Sequence, residues 1–491
     1  MIAYQSPYAT LYQGHVLSVL RTMEPESVHA CVTSPPYYGL RAYGTDPQVW
    51  GEPGEGCEHV WGEEGVTGGP AGAQGSTSQR KGRANVTEQV ARGRSQGAFC
   101  SRSGCWRGEL GSEPTLALYL AHLVEVFEAV KRVLRRDGVC WINMGDAYAG
   151  SWGNQGRKAG RGAQRPINGP MIQAVQDGRY QDNGSGTGTV RDPGIKPKDL
   201  MLIPARLAIA LQENGWWVRS DCIWHKPNPM PSSVTDRPGT AHEYLFMLTK
   251  AAKYYYDAWA VRQPSSDNPI SSARRTRADN GATGRKALHG TAWGQSGNGA
   301  RNDDGERHLR SVWTIPTEAY PGSHFATFST KLVEPCVLAS TSQEGVCSTC
   351  GTPWKREVER QTRQVMDYNG KNAEQDTHFS GRRMLGNVRA ARAAGADHDH
   401  PFPAPQTLGW HAGCKCNAPT QPAVILDPFA GTSTVGAVAI RHGRRFVGIE
   451  LSERYCRLSA KRLAGANPVL PLDIEPAAEP EPAQLALMEE A

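Results

Sequence analysis

Three groups of residues in this 491-residue sequence have types and spacings that suit chemistry. The first is Ser34-Pro35-Pro36-Tyr37, directly after a short apolar stretch that ends in Val32-Thr33. Two successive prolines stiffen the backbone and remove two N–H donors, so the carbonyls of Ser34 and Pro35 are not absorbed into a helix. A rigid rim of acceptors, one hydroxyl and an adjacent aromatic face can bind a flat amine. The second is Asp427-Pro428-Phe429-Ala430-Gly431-Thr432-Ser433-Thr434, with Glu450 following 23 residues after Asp427. A glycine turn between strand and helix lets backbone approach a ligand, and an acid about 20 residues on can bind ribose hydroxyls. The pattern fits a nucleoside-containing cofactor. A GxGxxG run is absent here, so no pyrophosphate is implied.

The third group is drawn from the twelve cysteines. Cys347-x-x-Cys350-Gly351 and Cys414-Lys415-Cys416 together supply four thiolates, and C-x-x-C before glycine is the shape of a zinc knuckle. Cys57, His59, Cys100 and Cys105 form a looser second set. Unliganded surface thiols are the alternative for both. Either set would pin the base of an insertion, and a site with four protein ligands keeps no open position for catalysis. Cys31, Cys140, Cys222, Cys336 and Cys456 stand in apolar surroundings and read as core.

These groups need a frame to hold them. Leu116, Tyr119, Leu120, Leu123, Val126, Phe127, Val130, Val133 and Leu134 recur at helical spacing, followed by a turn at Arg136-Asp137-Gly138 and a strand from Val139 to Met144. A helix through Leu200, Ile203, Leu207, Ala210 and Leu211 precedes a strand from Trp216 to Trp224. Glu243 to Leu248 reads as another strand, and Tyr254-Tyr255-Tyr256 as a short one. Near the end, a strand from Ala423 to Leu426, a helix from Val435 to Arg441, a strand from Arg445 to Glu450 and a helix from Ser452 to Leu463 alternate. Such alternation predicts an α/β domain with a mostly parallel sheet and helices on both faces, where ligands bind beyond the carboxyl ends of the strands.

The formal net charge of +6 averages over unlike segments. Residues 151–198 hold eight Lys or Arg against three Asp or Glu, and residues 258–310 hold nine against five. Both are rich in Gly, Ser, Asn and Arg, which suits either solvated loops or a nucleic-acid contact surface. From residue 466 onward there are six acids and no base, which reads as a disordered acidic tail. No run of about 18 apolar residues and no basic-then-apolar leader is present, so a cytoplasmic protein with no membrane partner is expected.

Taken together in this order, Ser34-Pro35-Pro36-Tyr37 and Asp427-Pro428-Phe429-Ala430-Gly431 resemble the amino-directed DNA methyltransferases, with the catalytic motif ahead of the cofactor motif as in the β-class. The resemblance extends to Ser323-His324-Phe325-Ala326-Thr327-Phe328, similar to the segment that covers the methionine part of the cofactor. It also covers Trp224 to Pro231 and His242-Glu243-Tyr244. It implies a Rossmann-like S-adenosylmethionine-dependent methyltransferase sheet carrying zinc-knuckle and Gly/Arg-rich insertions. It further implies catalytic roles for Ser34, Pro35, Pro36 and Tyr37, and cofactor contacts from Asp427, Phe429, Gly431, Ser433, Glu450, His324, Phe325 and Thr327. Two positions depart from the family: Ser433 replaces a frequent second glycine, and His15 stands where an Asp near the cofactor adenine is common.

The expected organisation is 1–56 with the catalytic motif, 57–110 as an insertion with a zinc site, and 111–257 as methyltransferase core. Then come 258–315 as target recognition region, 316–465 as cofactor-binding part with the insertion 345–418, and the tail 466–491. Site-specific methylation of cytosine N4 in double-stranded DNA is the activity the resemblance implies, since Ser at the opening of the first motif resembles the cytosine-N4 group more than the adenine-N6 group, with adenine N6 as the alternative. A methyltransferase for protein or RNA amines and a non-catalytic zinc-containing DNA-binding protein are rival readings. A cognate restriction endonuclease is the candidate protein partner. Lys226 and His242 suit contacts to the target base or phosphate as well as they suit helix-end or strand-pairing roles.

Overall fold

The computed structural model describes residues 1–39, 45–51, 57–62, 66–67, 94–95, 97–149, 194–196, 198–229, 234–264, 306–318, 329–358 and 407–467. The chain divides into two units. One comprises Met1–Tyr256, Arg310–Pro353 and Ala418–Ala491, the other Asp257–Leu309 and Trp354–Asn417.

Among the described residues, the main sheet of the first unit has nine strands: β1 (Ile2–Gln5), β2 (Ala9–Gln13), β3 (Val28–Thr33), β4 (Leu134–Met144), β5 (Trp217–His225), β6 (His242–Thr249), β7 (Val312–Thr314), β8 (Val424–Asp427) and β9 (Arg445–Glu450). Their order across the sheet is β1-β2-β9-β8-β3-β4-β6-β5-β7. Neighbours from β2 through β4 are parallel, as are β5 and β7, while β1 and β6 run against their neighbours. All six residues of β3 are buried, as befits a central strand covered on both faces.

Among the described residues, six helices flank the sheet: α1 (Val16–Thr22), α2 (Leu116–Val133), α3 (Ile203–Glu213), α4 (Thr330–Ser340), α5 (Thr434–Arg441) and α6 (Glu453–Ala464). α1 packs on α2 and α2 on α3, whereas α4 packs on α5 and α5 on α6. The first set shares its core with Cys31, Cys140 and Ile142, and Trp141, which alternation turns to the other face, donates its indole N–H to Ser340 of α4 at 2.8 Å. Helices therefore cover both faces of the sheet. Thr115 caps α2 by accepting from the Leu118 N–H at 3.2 Å, an interaction worth about 1 kcal/mol.

The expected turn at Arg136-Asp137-Gly138 survives as a bulge inside β4. Pairing with β3 jumps from Val28 opposite Leu134 to Ala30 opposite Val139, so the intervening residues are extruded. Arg135 Nε, donating to Asp137 at 2.9 Å, ties the bulge. Tyr254-Tyr255-Tyr256 is not a strand, which corrects the expectation: the backbone there is irregular, and the Tyr255 N–H donates to the Asp137 carbonyl at 2.9 Å. Aromatic residues favour strands only where a neighbouring strand can pack beside them.

In the second unit, Lys355–Val358 pairs with Thr407–His411 and Gln263–Pro264 with Glu306–Arg307. Arg356 donates to the buried Asp257 at 3.0 Å and lies 4.3 Å over the Trp410 ring. Among the described residues no helix is long and apolar enough to cross a membrane.

Candidate active site

β3 and β8 lie side by side in parallel, Ile425 opposite Ala30 and Leu426 opposite Cys31, so both strands deliver their carboxyl ends to one edge. The two sequence motifs begin there. Thr33 Oγ1 donates to Asp427 Oδ1 at 2.7 Å, and the Phe429 N–H donates to the same oxygen at 3.1 Å. Burial nevertheless pushes the Asp427 carboxyl up to about 7. Glu450 ends β9 next door, its Oε2 accepting the Gly431 N–H at 2.9 Å and its Oε1 the Ser452 N–H at 2.7 Å. Burial also raises Glu450 to about 7, against those two hydrogen bonds.

The loop between them turns through Gly431 at φ +52° and Ser433 at φ +53°. Ser433 thus occupies the left-handed region that glycine takes freely, which gives physical content to its departure from the family pattern. Its hydroxyl is buried and has no hydrogen-bond partner among the described residues. The same holds for His15 Nε2. Gly14, just before His15, donates its N–H to the Glu450 carbonyl at 3.0 Å, which brings His15 to this strand end. The His15 ring stands edge-on to Trp50 at 4.6 Å, and burial, then Arg21 and His122, lower it to about 4. Two orphaned buried polar atoms, a left-handed glycine and a carboxylate at the next strand end suit a nucleoside with polar edges. The chemistry of these residues therefore fits S-adenosylmethionine.

Ser34 follows β3 and is half-buried. Its Oγ donates to Tyr37 Oη at 3.3 Å, and Tyr37 Oη donates to Glu243 Oε2 at 2.8 Å. Asn143, at the end of β4, donates from Nδ2 to the same Glu243 oxygen at 3.0 Å and to the Tyr244 carbonyl at 3.1 Å. Lys226 forms an ion pair with Glu243 Oε1. Burial and the Glu243 charge hold the Tyr37 hydroxyl well above the usual tyrosine range. A side chain at Gly145 would come within 2.8 Å of the Tyr37 ring, so glycine leaves that ring its place. Pro35 is buried, and the carbonyl of Pro36 is engaged by Tyr119 Oη at 2.8 Å.

Glu243 and Asn143 were not singled out as site residues from the sequence. Strand polarity is the signal that would have found them, because β6 runs against β4 and its first residues return to the edge where β3 and β4 end. Lys226 reaches this site, whereas His242 is exposed and packs edge-on to Tyr244 at 5.3 Å. His324, Phe325 and Thr327 lie outside the described residues.

Cys57, His59 and Cys100 come together, their ligand atoms all within 4.8 Å of one another. The Ser103 N–H donates to Cys100 Sγ at 3.4 Å. Cys105 is not in this group of three, although its carbonyl accepts the Cys100 N–H at 2.8 Å. Cys347 and Cys350 flank a turn closed by the Gly351 N–H to the Cys347 carbonyl at 2.8 Å, with Gly351 at φ +67°. His29 and Arg135 bond the Gly351 and Cys350 carbonyls at 3.1 and 2.8 Å. This turn is fastened at the amino end of β3, a strand's length from Ser34. Cys414 and Cys416 belong to the second unit. Cys31, Cys140, Cys222, Cys336 and Cys456 are buried.

The two motifs stand at neighbouring strand ends of an open, mostly parallel sheet, the arrangement expected of the class of S-adenosylmethionine-dependent amino-methyltransferases. The DNA methylase family model N6_N4_Mtase matches residues 28–348 and 418–461, and the chain belongs to this family. It is an S-adenosylmethionine-dependent DNA methyltransferase. Type II methyltransferase M.Cfr9I of Citrobacter freundii is 30% identical over 459 residues, covering 94% of this chain and 89% of its own. Type II methyltransferase M.SmaI of Serratia marcescens is 35% identical over 356 residues, covering 72% and 77%. Among solved structures, PvuII DNA methyltransferase (cytosine-N4-specific) aligns with 13% identity over 96% of this chain and 90% of that one, at a TM-score of 0.41.

Proposed function

We propose that this enzyme methylates N4 of cytosine at a specific site in double-stranded DNA. The observation that carries the reading is the Ser34 hydroxyl at the carboxyl end of β3, beside the Asp427 loop, where the motif opens with an alcohol instead of a carboxylate. The exocyclic amine of a paired base is out of reach, so the base must leave the stack. Tyr37 offers an aromatic face to it, a contact worth about 1 to 3 kcal/mol. Ser34 Oγ and the Pro35 carbonyl accept the two amine hydrogens and localise the nitrogen lone pair. S-adenosylmethionine supplies a methyl group made electrophilic by its sulfonium. Asp427, Phe429, Gly431, Ser433, Glu450 and His15 hold the cofactor, with His324, Phe325 and Thr327 over its methionine end. Holding both reactants in line contributes up to about 7 to 11 kcal/mol. Digesting DNA methylated with labelled cofactor and identifying the labelled nucleoside tests the reading, with N6-methyladenine as the competing product.

The basic segments 151–198 and 258–315 are assigned to DNA contact, where Arg can bind phosphates and guanine edges. Metal, where bound, is structural: one ion at Cys57, His59 and Cys100 with Cys105 as the nearby fourth donor, and one at Cys347, Cys350, Cys414 and Cys416 on the strength of their spacing. The Type II names of the relatives favour a companion restriction endonuclease that shares the recognition sequence.

A further inference from the structure

Ser34, Tyr37 and Glu243 form a directed line of hydrogen bonds, in which the Tyr37 hydroxyl has Glu243 Oε2 at 2.8 Å as its nearer acceptor and Asn143 Oδ1 at 3.3 Å as a more distant one. Ser34 Oγ donates to Tyr37 Oη at 3.3 Å, Tyr37 Oη donates to Glu243 Oε2 at 2.8 Å, and a carboxylate oxygen ends the line. A serine hydroxyl has one proton and two lone pairs. With its proton committed to Tyr37, what Ser34 turns to the crevice is a lone pair. Lys226 and Asn143 fix the end of the line, Lys226 by pairing with Oε1 and Asn143 by donating to Oε2 at 3.0 Å. The Glu243 side chain is 18% exposed, enough to exchange with water without lying free in it.

We propose that Glu243 is the terminus of a proton relay through Tyr37 and Ser34 that makes Ser34 an acceptor for the target amine and takes up the proton released on methylation. This rests on the reading of Ser34 as the amine-binding group. As the target nitrogen bonds to the methyl carbon, the carbon–sulfur bond breaks and its electron pair returns to sulfur. The nitrogen is then cationic and carries two hydrogens. One passes to Ser34 Oγ as the Ser34 proton moves to Tyr37 Oη and the Tyr37 proton to Glu243 Oε2. The base is left as a neutral methylated amine and Glu243 as a carboxylic acid, which returns its proton to solvent. Drawing the amine proton toward Ser34 while the new bond forms also strengthens the nitrogen as a nucleophile, so the relay acts on the methyl-transfer step itself. Tyr37 stays protonated in its buried place and conducts without becoming an anion.

Single-turnover methyl transfer to duplex DNA by the full-length enzyme tests this with Glu243→Gln, Tyr37→Phe and their combination, alongside Ser34→Ala. Glutamine keeps the size of Glu243 and cannot take up a proton; phenylalanine keeps the ring and removes the relay oxygen. Each single variant is expected to slow the step about a hundredfold, the scale of a lost general base. Affinities for DNA and S-adenosylmethionine should stay within about twofold, and the double variant should be no slower than the slower single one, as expected when two residues act as a unit. Wild-type rates in Glu243→Gln and Tyr37→Phe, or losses that simply multiply in the double variant, overturn the relay. If Glu243→Gln does not fold, Tyr37→Phe decides alone. Loss of activity in Ser34→Ala with undiminished Glu243→Gln refutes the relay and leaves the amine-binding reading standing; an active Ser34→Ala refutes that reading.

Discussion

Thr33 donates its hydroxyl proton to Asp427 Oδ1 across 2.7 Å, joining two residues 394 positions apart. The bond fastens the strand that ends in the Ser34 motif to the strand that ends in the cofactor loop. Removing it strips a donor from a buried carboxyl. Thr33→Val should therefore cost about 1 to 3 kcal/mol in urea denaturation. Thr33→Ser keeps the donor and should lose only about 1 kcal/mol for its methyl group. Equal losses in the two variants would show that the bond contributes little.

Burial raises Glu450 to about 7, and the role toward ribose hydroxyls proposed for it requires the carboxylate. Cofactor binding then favours the deprotonated form and releases a proton. Affinity for S-adenosylmethionine should rise as pH goes from about 6 to 8 and level off once Glu450 is ionised. Glu450→Gln should bind more weakly and with a flatter profile through that range. Calorimetry in buffers of different ionisation enthalpy reads both the affinity and the proton released.

His29 is neutral in the fold. Its Nδ1 accepts the Val424 N–H at 3.0 Å, so the ring proton resides on Nε2, which donates to the Gly351 carbonyl at 3.1 Å. Burial, with Arg135 beside it, lowers this histidine from 6.5 to about 4. The folded state thus binds fewer protons than the unfolded one between those values. The stabilisation is fully present above pH 6.5 and is lost as pH falls toward 4, by roughly 3 kcal/mol. Asp427 and Glu450, both raised, pull the opposite way over an overlapping range. The check is accordingly the difference between wild type and His29→Gln in denaturation at pH 4.5 and 7, which should shrink at the lower pH.

Metal content divides the two cysteine sets. Elemental analysis of the purified chain should find two equivalents of zinc, falling by one in Cys57→Ser and by one in Cys350→Ser. Both losses should lower the melting temperature by a few degrees while cofactor affinity holds, because both sets are assigned structural roles. Zinc-free protein of unchanged stability would assign these residues as free thiols.

How much could be read in advance follows from what each residue needs. α2 and the alternation around β8 and β9 were legible because burial of one helix face and of a central strand leaves a periodic apolar trace, as at Leu116, Leu123 and Val130 or at Ile425 and Leu426. Ser34-Pro35-Pro36-Tyr37 and the Asp427 loop were legible because prolines and glycine constrain backbone whatever surrounds them. Glu243 was not, since an acid on a strand acquires meaning only from the polarity of the neighbouring strands. The bulge at Arg136-Asp137-Gly138 looked like a turn because its extruded residues are those of a turn. Ser433 was identified by its departure from the family, and only its φ of +53° reveals what the departure involves.

The measurement closest to the central claim is nucleoside mass spectrometry of plasmid DNA incubated with the full-length enzyme and isotopically labelled S-adenosylmethionine. The account predicts label in N4-methylcytosine at one recurring sequence, and none with Ser34→Ala. Label in N6-methyladenine alone, or no transfer to DNA, would contradict it.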